Sequence, residues 1–252
     1  MIQSDSSWQH VSQWYSGAVG ERGHLYHRQV VMPKGLKLLA LGKGSSLLDL
    51  ACGQGVLGRY IPEDVYYVGV DSAPALIAQA KSLDPNKKHI YLVGDASRPM
   101  LIEKTDFTHA SIVFSLQNIK DPEGAVRNCR KHLRPKGKLL IVANHPCFRV
   151  PRQSRWEIDQ PNKLQFRRID AYMSPMEVPI VTHPGKGEKS QVTWSYHLPL
   201  SEYSRILSDN GFVIEKMEEW LSEKRSIGVA AKMENRARAE FPLFLAILAR
   251  KD

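Results

Sequence analysis

The sequence predicts an α/β chain built on a doubly wound, mostly parallel sheet with helices on both faces. Three observations carry that expectation. The stretch Ser46-Leu47-Leu48-Asp49-Leu50-Ala51-Cys52-Gly53-Gln54-Gly55-Val56-Leu57-Gly58 is a short apolar run that breaks into a glycine turn and then resumes as a helix opening. Further strand-length apolar runs follow at 65–71, 90–93, 107–114 and 138–143, with helix-patterned segments between them. Carboxylates Asp49, Asp71 and Asp95 sit at or just beyond the ends of the first three runs. In an open α/β sheet those ends form the ligand crevice.

Taken in order, the chain begins with a helical pattern over 7–41. Trp8, Val11, Trp14 and Tyr15 recur at helix spacing, glycines between 17 and 23 interrupt them, and Val30, Val31, Leu36 and Leu39 resume with Pro33 as a break. Strand one then meets the glycines, which tolerate positive φ and let a ligand approach the backbone closely. Residues 56–61 read as the opening of a helix. Strand two ends on Asp71, and Ser72 and Pro74 are the cap and first-turn residues of a helix over 73–83. Strand three runs into Gly94-Asp95-Ala96. Strand four at 107–114 leads through a loop to a helix over 123–133, a turn at Arg134-Pro135-Lys136-Gly137, and strand five.

Residues 147–197 are a long insertion carrying several prolines, aromatics (Phe148, Trp156, Phe166, Tyr172, Trp194, Tyr196) and arginines (Arg149, Arg152, Arg155, Arg167, Arg168). Its aromatic content argues for order, and the alternation at 191–196 predicts a strand with a partner near 171–178. Such a segment can act as a substrate lid, with aromatic walls for a planar molecule and arginines for a carboxylate or phosphate. A helix follows, capped by Ser201 and ended by Gly211. Strand six at 212–220, a charged helical excursion over 221–240 and strand seven at 241–249 complete the chain.

Two cofactor classes compete for the glycine loop. Gly53-x-Gly55-x-x-Gly58 fits the dinucleotide fingerprint. Asp49 counts against it, since a carboxylate just before the loop would repel a pyrophosphate. A ligand presenting an amine and a sulfonium suits an acidic strand end better. Leu48-Asp49-Leu50-Ala51-Cys52-Gly53-Gln54-Gly55 resembles motif I of the class I S-adenosylmethionine-dependent methyltransferases. The block from Phe107 to Ala143 is similar to the quinone-methylating UbiE group and the type-11 small-molecule methyltransferases. It shares their strand ending in Phe, the x-Leu-x-Asn-x-x-Asp loop and the Leu-x-Pro-x-Gly turn, with Gly137 alone where a double glycine is usual.

The resemblance implies a Rossmann-like seven-stranded sheet with an antiparallel last strand in a single domain over 1–252. Residues 1–44 form an N-terminal helical cap and 147–197 the lid. It also implies S-adenosyl-L-methionine as cofactor, with Asp95 on the adenine amine and the Ala96 N–H on the ring. Asp71 at its strand end can accept both ribose hydroxyls. Asp49, Ala51, Gly53, Gly55 and Ser72 complete the cofactor set. Phe114 and Ser115 lie along the methyl side, and Tyr15 reaches in from the cap. The expected base is His145 at the end of strand five, followed by His24 and His27. Methyl transfer requires no metal.

The expected function is methyl transfer to carbon or oxygen of a small aromatic or quinone-like metabolite. Phe114-Ser115-Leu116-Gln117 differs from the Asn-Pro-Pro-Tyr signature of enzymes that methylate amide or exocyclic base nitrogens. The formal charge of +9 keeps an RNA methyltransferase open as an alternative, although basic residues are scattered among acids. A non-catalytic S-adenosylmethionine-binding regulator is a second alternative. The polar start at 1–7, the lack of a membrane span and three widely separated cysteines lead to the expectation of a cytoplasmic enzyme. Oligomeric state is not legible.

Overall fold

The computed structural model describes residues 8–182 and 190–252; the polar start at 1–7 and residues 183–189 of the insertion lie outside the described residues. Eleven strands are described: β1 (Ser46–Leu50), β2 (Tyr66–Asp71), β3 (Ile90–Val93), β4 (Phe107–Val113), β5 (Leu133–Asn144), β6 (Ser154–Asp159), β7 (Leu164–Ile169), β8 (Met176–Val181), β9 (Val192–His197), β10 (Phe212–Trp220) and β11 (Phe244–Lys251). Seven of them form one sheet in the order β10-β11-β5-β4-β1-β2-β3. β1 lies parallel to β2 and to β4, and β11 is antiparallel to both β5 and β10. The sheet is thus mostly parallel with an antiparallel last strand. Chain order reverses between β1 and β4, so the crevice opens beyond their carboxyl ends.

Alternate residues of the central strands feed two cores. Leu48, Leu50, Val68, Val70 and Ile112 pack with Ala125, Cys129 and Ile206 on one face. Leu47, Tyr67, Leu140 and Val142 pack with Val31, Leu39 and Ile77 on the other. Because both faces are covered, β1 is buried at every position, and its leucines are interrupted only by Asp49. The α-helices are α1 (Ser12–Val19), α2 (Met32–Leu39), α3 (Pro74–Leu83), α4 (Pro122–His132), α5 (Leu200–Asp209) and α6 (Ala231–Glu240). Asp121 caps α4 by accepting from the Gly124 N–H, and Arg130, Lys131 and His132 in its last turn complement the dipole. Among the described residues no helix is long and apolar enough to cross a membrane.

Several expectations are corrected. No α-helix follows the glycine turn; a 3₁₀ turn at Gly58–Tyr60 stands there instead. Ile61 precedes Pro62 and is driven to extended backbone (φ −83°, ψ 156°), so the helix cannot propagate. Pro33 does not break the second N-terminal helix but sits in the first turn of α2, where its missing N–H is harmless. A π-helical turn, His27–Val31, leads into it. The turn at 134–137 is absorbed into β5 as an irregularity, with Lys136 at φ 61° and a register shift between Phe107 and His109. The helix of the 221–240 excursion begins only at Ala231. β11 begins at Phe244, past Pro242, which cannot donate to a ladder.

The insertion contains two antiparallel hairpins. β8 pairs β9, with Pro179 opposite Trp194, so the expected strand finds its partner slightly later than 171–178. β6 pairs β7, a hairpin not foreseen.

Candidate functional site

The carboxyl ends of β1, β2 and β4 and the loop after β3 open on one cleft, roofed by the N-terminal segment. It encloses about 890 Å³ of space free of atoms, part of it open to solvent. Its lining includes the expected Tyr15, His27, Asp49, Ala51, Gly53, Asp71, Ser72, Asp95, Ala96, Phe114 and Ser115. Residues not anticipated there include Trp8, Met32, Cys52, Leu76, Asn118 and Ile119. Leu76 stands one turn after Asp71 and Asn118 belongs to the loop motif after β4, so both carried a readable signal.

The acids are held differently. Asp71, 7% exposed, accepts the Gly53 N–H on Oδ2 (2.8 Å) and the Ala73 N–H on Oδ1 (2.9 Å). Burial raises its pKa, opposed by those two N–H groups. Each oxygen keeps a lone pair for a further donor. Asp49, 2% exposed, accepts from Ser111 Oγ (2.7 Å) and Tyr67 Oη (2.8 Å). Burial pushes its pKa up to about 6, against the two hydroxyls, and the Asp71 charge adds to the rise. Among the described residues no cationic side chain forms an ion pair with either acid. Asp95 is exposed; Ser97 occupies its Oδ1 through N–H (2.8 Å) and Oγ (2.7 Å), leaving Oδ2 open. Asn128 of α4 fixes this loop by donating to the carbonyls of Ala96 (2.6 Å) and Arg98 (2.7 Å).

The backbone beside the acids is strained. Ala51 (φ 53°) and Phe114 (φ 58°) lie just past the ends of the neighbouring strands β1 and β4 in the left-handed region. Each costs about 1–2 kcal/mol for a residue with a Cβ, and such strain gathers at functional sites. Gly53 adopts φ +56°, and a Cβ there would stand 3.2 Å from Tyr15 Oη. Gly55, at φ +72°, does not line the cleft; a Cβ on it would meet Tyr91 Oη at 2.7 Å. It secures the turn from beneath.

The N-terminal segment is stapled to the glycine loop. Arg59 donates to the carbonyls of Gln54 (2.6 Å) and Glu21 (2.5 Å), and Gln54 Nε2 donates to Gly20 O (2.6 Å). Ser16 bonds Gln79 on α3. Burial and then the nearby Asp71 raise the Tyr15 pKa, so its hydroxyl stays protonated. His27, 6% exposed, leaves Nδ1 buried without a hydrogen-bond partner. Burial, then His24 and Arg59, lower its pKa to about 3. Its ring meets Phe114 edge-on with centroids 5.1 Å apart.

Two expected histidines stand elsewhere. His24 does not line the cleft; its Nδ1 accepts the N–H groups of Tyr26 (3.1 Å) and His27 (3.4 Å), and its ring lies 4.1 Å from that of His27. His145 is buried outside the cleft with both nitrogens engaged: Nδ1 accepts the Cys147 N–H (3.2 Å) and Nε2 faces Glu219 Oε1 (2.6 Å). Burial lowers its pKa, with Glu219 opposing. Beyond it the chain turns sharply, the Arg149 N–H bonding His145 O at 2.8 Å.

The cleft suits a nucleoside carrying positive charge better than a dinucleotide. No helix N-terminus follows the glycine turn to receive a pyrophosphate. Two buried acids without cations repel phosphates and attract an ammonium or sulfonium. Backbone-anchored Asp71 has acceptor capacity for hydroxyls, and at Gly53 a Cβ would crowd Tyr15 Oη at 3.2 Å on a positive-φ backbone. The residues present therefore fit S-adenosylmethionine.

Comparison with known proteins agrees. Residues 48–141 match the family model described as "Methyltransferase domain". A demethylmenaquinone methyltransferase of Chlamydia caviae is 32% identical over 117 residues, covering 43% of this chain and 50% of that protein. One of Staphylococcus aureus is 21% identical over 187 residues, 71% of this chain and 72% of its own. The chain thus spans half to about three quarters of these relatives. Among solved structures, an S-adenosylmethionine-dependent methyltransferase from Mesorhizobium loti superposes with TM-score 0.68 at 22% identity, over 89% of this chain and 99% of that one. The glycopeptide N-methyltransferase MtfA complexed with S-adenosylmethionine gives TM-score 0.57 at 17% identity, over 87% and 92%.

Proposed function

Residues 48–141 of this chain are a methyltransferase domain on the S-adenosylmethionine-dependent methyltransferase sheet, and from that premise we propose that the chain methylates a small aromatic or quinone-like metabolite at carbon or oxygen. The observation that carries the cofactor half is the pair of buried, unneutralised carboxylates, Asp49 and Asp71, opening on one cleft with Asp95. Asp71 would hold the ribose hydroxyls and Asp95 the adenine amine. Asp49 supplies negative potential to the cationic end. When bound, S-adenosylmethionine supplies a methyl group already activated on a sulfonium.

The chain's own contribution is alignment, exclusion of water and hydrogen bonding to the acceptor. Tyr15, Phe114 and Trp8 give the cleft aromatic walls, suited both to a sulfonium methyl and to a planar acceptor. His27 lines the cleft, and its ring would accept a hydrogen bond from an acceptor hydroxyl. With a pKa of about 3 it is a weak base. The acceptor must then be acidic in its own right, as phenols and quinols are. His145 serves another purpose, pinning the exit of β5 to Glu219 of β10. The name shared by the two curated relatives supports a quinone-like acceptor.

The test is calorimetric titration with S-adenosylmethionine, followed by S-adenosylhomocysteine release with a panel of phenols, catechols and naphthoquinols. Micromolar binding and turnover with at least one class support the reading. Absence of S-adenosylmethionine binding would end it.

A further inference from the structure

A second hollow lies beside the methyl cleft, where the insertion meets the start of β11. It encloses about 440 Å³, part of it open to solvent, among Phe148, Arg149, Trp156, Arg167, Phe241 and Leu243. We propose that this hollow binds an aromatic molecule bearing a carboxylate or phosphate. The inference goes beyond the methyl-transfer reading above and stands independently of it.

Two of the insertion's arginines line the hollow. Arg152 donates to Pro179 O (2.8 Å), Arg155 pairs with Glu157 (2.9 Å), and Arg168 pairs with Glu157 and Asp170 (both 3.3 Å). Arg149 and Arg167, like Arg152, have no carboxylate partner among the described residues, and these two line the hollow while Arg152 does not. Arg167 is fixed in place: Nε donates to Phe148 O (2.8 Å), Nη2 to Ser154 Oγ (2.7 Å), and the guanidinium lies 5.3 Å from the Trp156 ring. Both guanidiniums line the same hollow, Arg149 exposed and Arg167 half-buried, and like charges there repel each other: burial and then Arg149 lower the pKa of Arg167. An anion between them would relieve that repulsion through charge-assisted, forked hydrogen bonds.

The rest of the hollow is aromatic. Phe241 meets Phe148 edge-on at 5.6 Å and Trp156 at 5.4 Å. The space suits a ring or two. The hollow and the methyl cleft have no lining residue in common, but they are neighbours: Phe244, which follows Leu243 in the chain, meets Tyr26 at 5.5 Å and Phe114 of the cleft at 4.9 Å. Lys224, 5.8 Å over the Tyr26 ring, adds positive potential on that approach.

The experiment titrates the full chain, saturated with S-adenosylmethionine, with 4-hydroxybenzoate, phenyl phosphate and the neutral 4-hydroxybenzamide. Wild type, Arg149→Gln and Arg149→Lys are compared, each checked by thermal melting. The Arg149 side chain forms no hydrogen bond or ion pair among the described residues, and its backbone bond to His145 O is kept in either variant, so its replacement leaves the fold standing. At least one anion should bind about tenfold or more tighter than the amide, corresponding to one charge-assisted contact. That preference should vanish in Arg149→Gln and return in part in Arg149→Lys. Equal affinity for anion and amide, or an unchanged preference in Arg149→Gln, overturns the inference. So does a uridine decamer that binds tighter than either anion and depends on Arg149, which would make the hollow a nucleic-acid contact. Lost anion preference with intact S-adenosylmethionine binding removes this inference alone; lost S-adenosylmethionine binding with the preference intact removes the earlier reading alone.

Discussion

Asp49→Asn should make the protein more stable and less able to bind its cofactor. In the fold the Asp49 pKa stands at about 6 against an ordinary 3.8. At 1.36 kcal/mol per pH unit, holding the ionised carboxylate buried costs on the order of 3 kcal/mol. The sign follows from proton binding: the folded state holds the Asp49 proton more tightly than the unfolded chain does. The penalty is therefore absent below about pH 4, where both states are protonated, and complete above about pH 6. An amide removes the charge, although its NH₂ faces a hydroxyl, and a poorly met hydrogen bond returns about 1–2 kcal/mol of the gain. A net gain on the order of 1–2 kcal/mol raises Tm by about 3–6 °C at pH 8 in a chain of this size. At pH 5 the gain should shrink. S-adenosylmethionine affinity should fall in the variant, and in the wild type it should weaken as pH drops through about 6. Differential scanning fluorimetry at both pH values, with and without S-adenosylmethionine, reads all of this. A variant that melts lower than wild type at pH 8 and keeps its affinity would refute the reasoning.

Other substitutions separate binding, chemistry and packing. Gly53→Ala places a methyl group 3.2 Å from Tyr15 Oη on a positive-φ backbone; it should cost about 1–2 kcal/mol in a urea melt, part of it recovered in Gly53→Ala/Tyr15→Phe, and no recovery would refute the contact. His27→Ala should slow turnover about 10- to 100-fold while leaving S-adenosylmethionine affinity unchanged by calorimetry; an unaltered rate would remove His27 from the acceptor site. His145→Ala should destabilise the fold by about 1–3 kcal/mol through its lost bond to Glu219, with turnover per folded molecule unchanged. A slow but fully stable His145→Ala protein would return that histidine to the chemistry.

Much of this was legible because the informative residues are local. An apolar run, a glycine turn and an acid at a strand tip lie within a few residues of one another, so Asp49, Gly53 and Asp71 were readable and do meet in one cleft. The parallel strands β1 to β5 were visible because their buried stretches are largely apolar. What escaped depends on contacts distant in sequence. His145 ends a strand at the correct edge of the sheet, yet Glu219, 74 residues on, draws its ring out of the cleft. The β6–β7 hairpin carries a strand's alternation at Trp156 and Ile158 and at Leu164 and Phe166, but its many charged residues dilute the signal. Pro62 ended the anticipated helix after the glycine loop, a local signal outweighed by the apolar run before it. The left-handed backbone of Phe114 had no sequence signature.

The central claim is that carboxylates at strand tips grip the cofactor, and Asp71 is its most exposed point. The decisive measurement is the S-adenosylmethionine dissociation constant of Asp71→Ala by isothermal titration calorimetry, with folding verified by circular dichroism. Loss of two charge-assisted hydrogen bonds predicts at least about 100-fold weaker binding. A folded Asp71→Ala protein that binds S-adenosylmethionine as tightly as wild type would contradict the account.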